Sequence, residues 1–388
     1  MSTLLRTLGL ACLTLVACKK DTPPPPAGTP SPALEAPKAK ALTVGLVTDV
    51  GGRGDTSFND SALRGLEGWA ANQKYVGGKY EPLTADERKA LVPEALQATV
   101  TPVPLKPLVV QSKAQEDYQP NLQLLVDQGA DLTVGVGFML ENAVETVAKE
   151  NPKAKFLLID SPILDGKGAP QALPNVRTVV FKEEEGSFLV GALAGLVAKE
   201  KVGFVGGMEI PLIKKFEAGF RAGVKTTNPK AQVLVQYTGT FDNVAHGKQV
   251  GQDLVAKGCE VVFHAAGSDG NGAIQAVKEA HEGGKRVFAI GVDSDQSHLA
   301  PKAMLTSMVK RVDLVVWRAA KDLEAGAFTA GDVVLGLKDG AVGFAPVTVE
   351  FEGKAAALAQ VEALRQKVVA GELRVPSNLA ELETFKAP

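Results

Sequence analysis

From residue 42 onward, short apolar runs alternate with helix-like segments, and this alternation limits the possible folds more than any other feature. The runs at 42–47, 108–110, 131–137, 156–160 and 176–181 are apolar almost throughout, as expected of strands buried on both faces. Between them, Leu122, Leu125 and Val126 repeat at helical spacing. A second series follows, with strand-like runs at 202–205, 233–237, 261–264 and 287–292, and helix-like segments at 183–198, 212–225, 244–257 and 272–281. Such alternation means parallel sheets covered by helices. Two series, about 42–160 and 176–290, predict two similar α/β, Rossmann-like lobes with a ligand cleft between them. The tail supplies a strand near 305–309, a helix at 313–325, short strands around 333–351 and a last helix at 355–369.

The chain has 388 residues, 45% of them hydrophobic, enough for two domain cores. A formal net charge of −2 gives no basic footprint for nucleic acid. Cys12 and Cys18 lie near the start and Cys259 stands alone in the body, so no disulfide framework or metal cluster is expected. His246, His264, His281 and His298 have no metal-ligand spacing. No nucleophile–base pair and no G-x-S-x-G elbow is present, so neither an enzyme nor a cofactor is expected.

The first segment reads as an export signal. Arg6 precedes an apolar run, 7–17, too short to span a bilayer. Leu15-Val16-Ala17-Cys18 resembles a bacterial lipobox, which makes 1–17 a signal peptide and Cys18 the lipidated first residue of an extracytoplasmic lipoprotein. Residues 18–41 hold the run Pro23 to Pro26 and read as an extended tether.

Unusual residues gather at the carboxyl ends of the strands, where α/β sheets bind ligands. Asp49 and the Gly-rich loop of TDVGGRGDTSFN (48–59) follow the first strand, with Phe58 and Asn59 offering a ring and an amide. Phe138 and Asn142 follow the run ending at Gly137. Phe241 and Asp242 follow Tyr237, Gly267 follows Ala266, and Asp293 and Asp295 follow Val292. The stretch 267–272 matches no phosphate-loop order. Arg53-Gly54-Asp55 spells an adhesion tripeptide, which reads as chance in so Gly-rich a loop. The G-x-x-x-G of Gly191 and Gly195 reads as close packing of a helix on a sheet.

Four segments carry a resemblance: TDVGGRGDTSFN (48–59), FKEEEGSFLVGALAG (181–195), GVDSDQ (291–296) and LTSMVKRVD (305–313). In order and over most of 42–370, the chain resembles the Bmp family of bacterial solute-binding lipoproteins. Purine nucleoside receptors of ABC importers are its best understood members. The resemblance implies a type I periplasmic-binding-protein fold in which the chain crosses three times between lobes. The lobes are expected at 42–170 plus about 294–330, and at 171–293 plus about 331–375. It implies a membrane-anchored monomer that captures a nucleoside, purines first, for an ABC permease. A ligand-sensing lipoprotein of the same fold without a transport role is the alternative. By the same resemblance Phe58 and Phe241 stack on the two faces of a base, and Asp49 lies at the base edge. Asp293 takes the ribose hydroxyls, with Lys310 beside it and Gly267 in backbone contact. Asn142 stands where the family commonly has Asp, which implies a changed base preference. The stretch 73–106 departs from the family pattern and reads as a surface excursion with one short helix at 84–98.

Overall fold

The computed structural model describes residues 41–387; residues 1–40, with the expected signal peptide, Cys18 and nearly all of the tether, lie outside them. The strands are β1 (Leu42–Thr48), β2 (Gln73–Val76), β3 (Lys79–Pro82), β4 (Leu105–Gln111), β5 (Leu132–Val136), β6 (Phe156–Ile159) and β7 (Val176–Phe181), then β8 (Lys201–Gly206), β9 (Gln232–Tyr237), β10 (Val261–Ala265), β11 (Phe288–Asp293), β12 (Met304–Lys310), β13 (Gly331–Leu335) and β14 (Val342–Phe344). They form two six-stranded sheets and a small hairpin, β2-β3. One sheet runs β13-β7-β6-β5-β1-β4, the other β14-β12-β11-β10-β8-β9. All pairings within the two sheets are parallel except β12 with β14. The continuous apolar runs follow from this: β5, β10 and β11 are buried at every residue.

The two sheets share one order, with β1 matched by β8, β5 by β10, β6 by β11 and β7 by β12. The chain passes between them after β7, after β12 and after β13, three crossings in all. The expected lobe boundaries therefore move. Val176–Phe181 pairs with Phe156–Ile159 and belongs to the first lobe. Met304–Lys310 pairs with β11 and belongs to the second. Gly331–Leu335 returns to the first beside β7. A run buried on both faces reads alike in either sheet, so periodicity carries no sheet membership.

The excursion at 73–106 is more ordered than expected. It holds the hairpin and a helix, Ala85–Leu91, closed by a capping box between Thr84 and Glu87. The hairpin is tied to the 48–59 loop. Tyr80 donates to Glu67 (2.7 Å), and Glu67 takes both arms of Arg53 (2.9 and 2.7 Å).

The G-x-x-x-G stripe packs on a helix, not on the sheet. A Cβ on Gly191 would meet the Phe220 carbonyl oxygen at 2.2 Å, and one on Gly219 the Glu184 oxygen at 2.2 Å. Helices Glu183–Val197 and Pro211–Thr227 thus touch backbone to backbone. Gly191→Ala should cost about 1–3 kcal/mol, since neither backbone can yield. Urea unfolding checks this, and an unchanged midpoint would mean that the helices separate freely. No helix among the described residues is long and apolar enough to cross a membrane.

Candidate functional site

A cavity lies where the carboxyl ends of the two sheets face each other. The first lobe lines it with Asp49, Phe58, Gly137, Phe138 and Asp160, and the second with Leu212, Ile213, Phe216, Phe241, Gly267, Asp293 and Lys310, among others. Six of the eight expected ligand residues are therefore at one place. Asn59 and Asn142 are not.

The loop after β1 is organised by Asp55. Its carboxylate is 2% exposed and accepts from the amides of Ser57 (2.9 Å), Asn59 (2.7 Å) and Asp60 (3.0 Å). This satisfies the open amides at the start of helix Phe58–Leu63 and aims Phe58 at the cavity. Burial pushes the Asp55 carboxyl up to about 7 against the pull of those amides. The tripeptide containing it is thus a loop organiser. Asn59 works behind the wall, donating to Asp49 Oδ1 (2.7 Å) and Asp55 Oδ2 (3.1 Å). Its amide is already engaged by protein, which corrects the expectation of a ligand contact.

Asp49 Oδ1 accepts from Asn59 and from the Gly51 amide (2.8 Å). Oδ2 faces Gly137 and Phe58; a Cβ on Gly137 would sit 3.2 Å from this oxygen and 3.3 Å from Phe58 Cε1. Gly137, at φ +109°, keeps that approach open. Burial pushes the Asp49 carboxyl up to about 6, with the Asn59 and Gly51 bonds opposing. Asn142, second residue of helix Glu141–Glu150, is exposed and lies off the cavity wall. The helix presents that face to solvent, which corrects its expected role in base choice.

Asp160 and Asp293 occupy equivalent places in the two lobes, at the ends of β6 and β11. Both hold left-handed backbone, at φ +70° and +62°, a conformation costing about 1–3 kcal/mol for a residue other than glycine. Both face Lys310. Its ammonium donates to Asp160 Oδ2 at 2.6 Å and lies 3.7 Å from Asp293 Oδ1 and 3.8 Å from Glu183 Oε1. Lys310 therefore pairs most closely with Asp160, across the lobes. Burial alone would lower its pKa, but the carboxylates of Asp160, Asp293 and Glu183 outweigh that and raise it. The ammonium also lies 4.7 Å from the centre of the Phe58 ring. Burial raises the Asp293 carboxyl, with Lys310 and Ser57 opposing. Three oxygens of this cluster, Asp160 Oδ1, Glu183 Oε1 and Asp293 Oδ1, are buried without a hydrogen-bond partner, and those of Asp160 and Asp293 belong to residues that line the cavity. Phe138 and Phe241 meet edge to face across the cleft, centres 6.2 Å apart.

Sequence reasoning passed over Asp160 and Phe216. Asp160 had a signal, since it is a carboxylate directly after the apolar run 156–159. Phe216 had none, being one apolar residue among many on its helix. His264 and Cys259 are buried core residues, and burial pushes the Cys259 thiol up to about 11.

A family model described as Bmp, ABC transporter substrate-binding protein PnrA-like, matches residues 42–379. The chain belongs to the Bmp family. It is thus a substrate-binding protein of an ABC transporter and not an enzyme. Bmp relatives span nearly its whole length. The CD4+ T-cell-stimulating antigen of Listeria monocytogenes is 37% identical, covering 88% of this chain and 89% of that protein. The ABC transporter nucleoside-binding protein BmpA of Lactococcus lactis is 31% identical, covering 87% and 90%. Among solved structures, an ABC transporter solute-binding protein from Aeropyrum pernix superposes with a TM-score of 0.71 at 27% identity, over 88% of this chain and 96% of that one. The two-lobed Bmp fold is accordingly that of type I periplasmic binding proteins.

Proposed function

We propose that this Bmp protein captures nucleosides, purines first, between its lobes and delivers them to an ABC permease, held at the membrane by a lipid on Cys18. The observation that supports this best is the pair of unpartnered, buried carboxylate oxygens on Asp160 and Asp293 beside a cavity walled by phenyl rings. Among the buried unpartnered side-chain oxygens of the described residues, these two belong to residues that line the cavity, where a ligand can supply the missing donor. Ribose hydroxyls are such donors. A flat base gains from rings such as Phe58 and Phe241, at about 0.5–1.5 kcal/mol per aromatic pair beyond burial. An anion fits poorly, because Asp49, Asp160, Glu183 and Asp293 outnumber Lys310 and Lys215 around the cleft. The name of the Lactococcus relative, a nucleoside-binding protein, agrees with this reading.

Thermal-shift measurements test the ligand class: nucleosides should raise the unfolding temperature, and nucleoside 5′-monophosphates should not. Equal stabilisation by both would sink the reading. For the anchor, labelled palmitate should enter the wild type and not Cys18→Ser; incorporation into both would remove the lipid from Cys18.

Asn142→Asp should leave the ranking of purine nucleosides unchanged, because residue 142 is exposed and off the cavity wall. A reversed ranking in competition binding would return it to the site. Acidity should act on binding and on stability in opposite senses. Asp49 accepts more strongly when ionised than when protonated, so the affinity for a ligand that donates to it should fall as pH drops through about 6. The carboxyls of Asp49, Asp55 and Glu184 are raised to about 6, 7 and 7, above their ordinary values. The folded state then holds more protons than the unfolded one between about pH 4 and 7, and stability from these groups is lost as pH rises through that window. Ligand-free protein should therefore melt higher at pH 5 than at pH 7.5, and titrations at both values check both halves.

A further inference from the structure

We propose that Thr56, Asn271 and Gln296 form a latch that holds the lobes closed, so that residues outside the cavity set how fast a ligand leaves. Thr56 belongs to the first-lobe loop after β1. Asn271 lies on the second-lobe helix Gly267–Glu282, and Gln296 follows β11. None of the three lines the cavity.

The contacts run in both directions across the cleft. Thr56 Oγ1 donates to Asn271 Oδ1 (3.0 Å), and Asn271 Nδ2 donates back to the Asp55 carbonyl (3.0 Å). Gln296 Nε2 donates to Asn271 Oδ1 (3.0 Å) and to Thr56 Oγ1 (3.3 Å). Gln296 is fully buried and fixed from behind, its Oε1 accepting the Val292 amide (2.9 Å) and facing His264 Nε2 (2.9 Å). The second-lobe half of the latch is thus pre-set. On the first-lobe side Thr56 is held at φ +54°, a rare conformation for a β-branched residue. Asp60 fixes it there by accepting the Thr56 amide (2.9 Å). The same loop carries Ser57, whose hydroxyl donates to Asp293 Oδ2 (2.6 Å). The latch therefore also positions a cavity carboxylate.

Its place in the fold suits a closure device. The first two crossings between lobes leave from β7 and β12. Strand β1 stands three places from β7, and β10 two places from β12. A rotation about the crossings that parts the lobes would separate these elements and break the bonds of Thr56 to Asn271 and Gln296.

The test compares purified wild type, Asn271→Ala, Thr56→Val and Thr56→Ser. Small-angle X-ray scattering of the ligand-free proteins should show a larger radius of gyration for Asn271→Ala and Thr56→Val, with Thr56→Ser like the wild type. The dissociation arm rests on the nucleoside reading: guanosine and inosine should leave the two latch variants about tenfold faster, the worth of about one net hydrogen bond. The factor should be equal for both nucleosides, because nothing in the latch touches a base. Unchanged scattering with unchanged dissociation would overturn the latch, and a base-selective change would mean direct ligand contact. A wild type that binds no nucleoside would overturn the functional reading instead, with scattering still deciding the latch. Thermal unfolding identifies a misfolded variant, and the other variant then carries the test.

Discussion

Asp293→Ala should weaken nucleoside binding by about 10–10²-fold while the protein stays folded. Asp293 Oδ2 already accepts from Ser57, so Oδ1 is the open acceptor. One charge-assisted hydrogen bond from a ribose hydroxyl is worth about 1.5–3 kcal/mol, and its loss corresponds to that range. The fold should tolerate the change, because burial already disfavours this carboxylate in its charged form. The left-handed backbone at φ +62° argues for a companion variant. Asparagine suits that conformation better than alanine, so Asp293→Asn separates lost charge from lost backbone fit. Calorimetric titration gives the affinity and thermal unfolding the fold. An affinity within about threefold of wild type, well under one bond's worth, would remove Asp293 from the site.

The second large effect falls on stability. Lys310→Met should cost about 3–5 kcal/mol, the usual result of breaking a buried ion pair from one side. Methionine keeps the length of the side chain but leaves Asp160, Glu183 and Asp293 without their shared cation. Protonation can relieve them, so the loss should be smaller at pH 5 than at pH 7.5. In the double variant Lys310→Met with Asp160→Asn, part of the stability should return, because one unpaired charge is gone. Urea unfolding at both pH values measures this. A loss below about 1 kcal/mol would mean that solvent already screens the cluster.

Much of the fold was legible because it is written in local pattern. Runs such as 156–159 and 287–292 are apolar at successive positions, as a strand covered on both faces asks, and their shortness argues against a buried helix. The carboxyl-end rule then gathered Asp49, Phe58, Phe241, Gly267, Asp293 and Lys310 at one cavity, some by pattern and some through the Bmp resemblance. Sheet membership was not legible, since β7, β12 and β13 are placed by crossings that leave no mark on periodicity. Nor were the roles of Asn59 and Asn142. Residue type suggested an amide for a ligand, but Asp49 and Asp55 engage one amide and a helix face turns the other to solvent. The glycine pair on helix Glu183–Val197 announced close approach without naming the partner. Only the structure supplies Gly219 and Gly223 on the neighbouring helix.

The equivalence of Asp160 and Asp293 gives the site its character. Two lobes of one topology each end the same strand in a left-handed aspartate, and one lysine sits between the pair. The two carboxylates would repel each other, and Lys310, 2.6 Å from Asp160 and 3.7 Å from Asp293, offsets that repulsion. Ligand hydroxyls would then fill the two acceptor positions left open.

Calorimetric titration after unfolding and refolding to strip carried-over ligand tests the nucleoside assignment most directly. The panel is adenosine, guanosine, inosine, cytidine, uridine, the free bases, ribose and the nucleoside 5′-monophosphates. Purine nucleosides should bind at micromolar or tighter affinity, about −8 kcal/mol or better, with ribose, bases and monophosphates far weaker. No heat of binding from any nucleoside, or monophosphates binding as tightly as nucleosides, would contradict it.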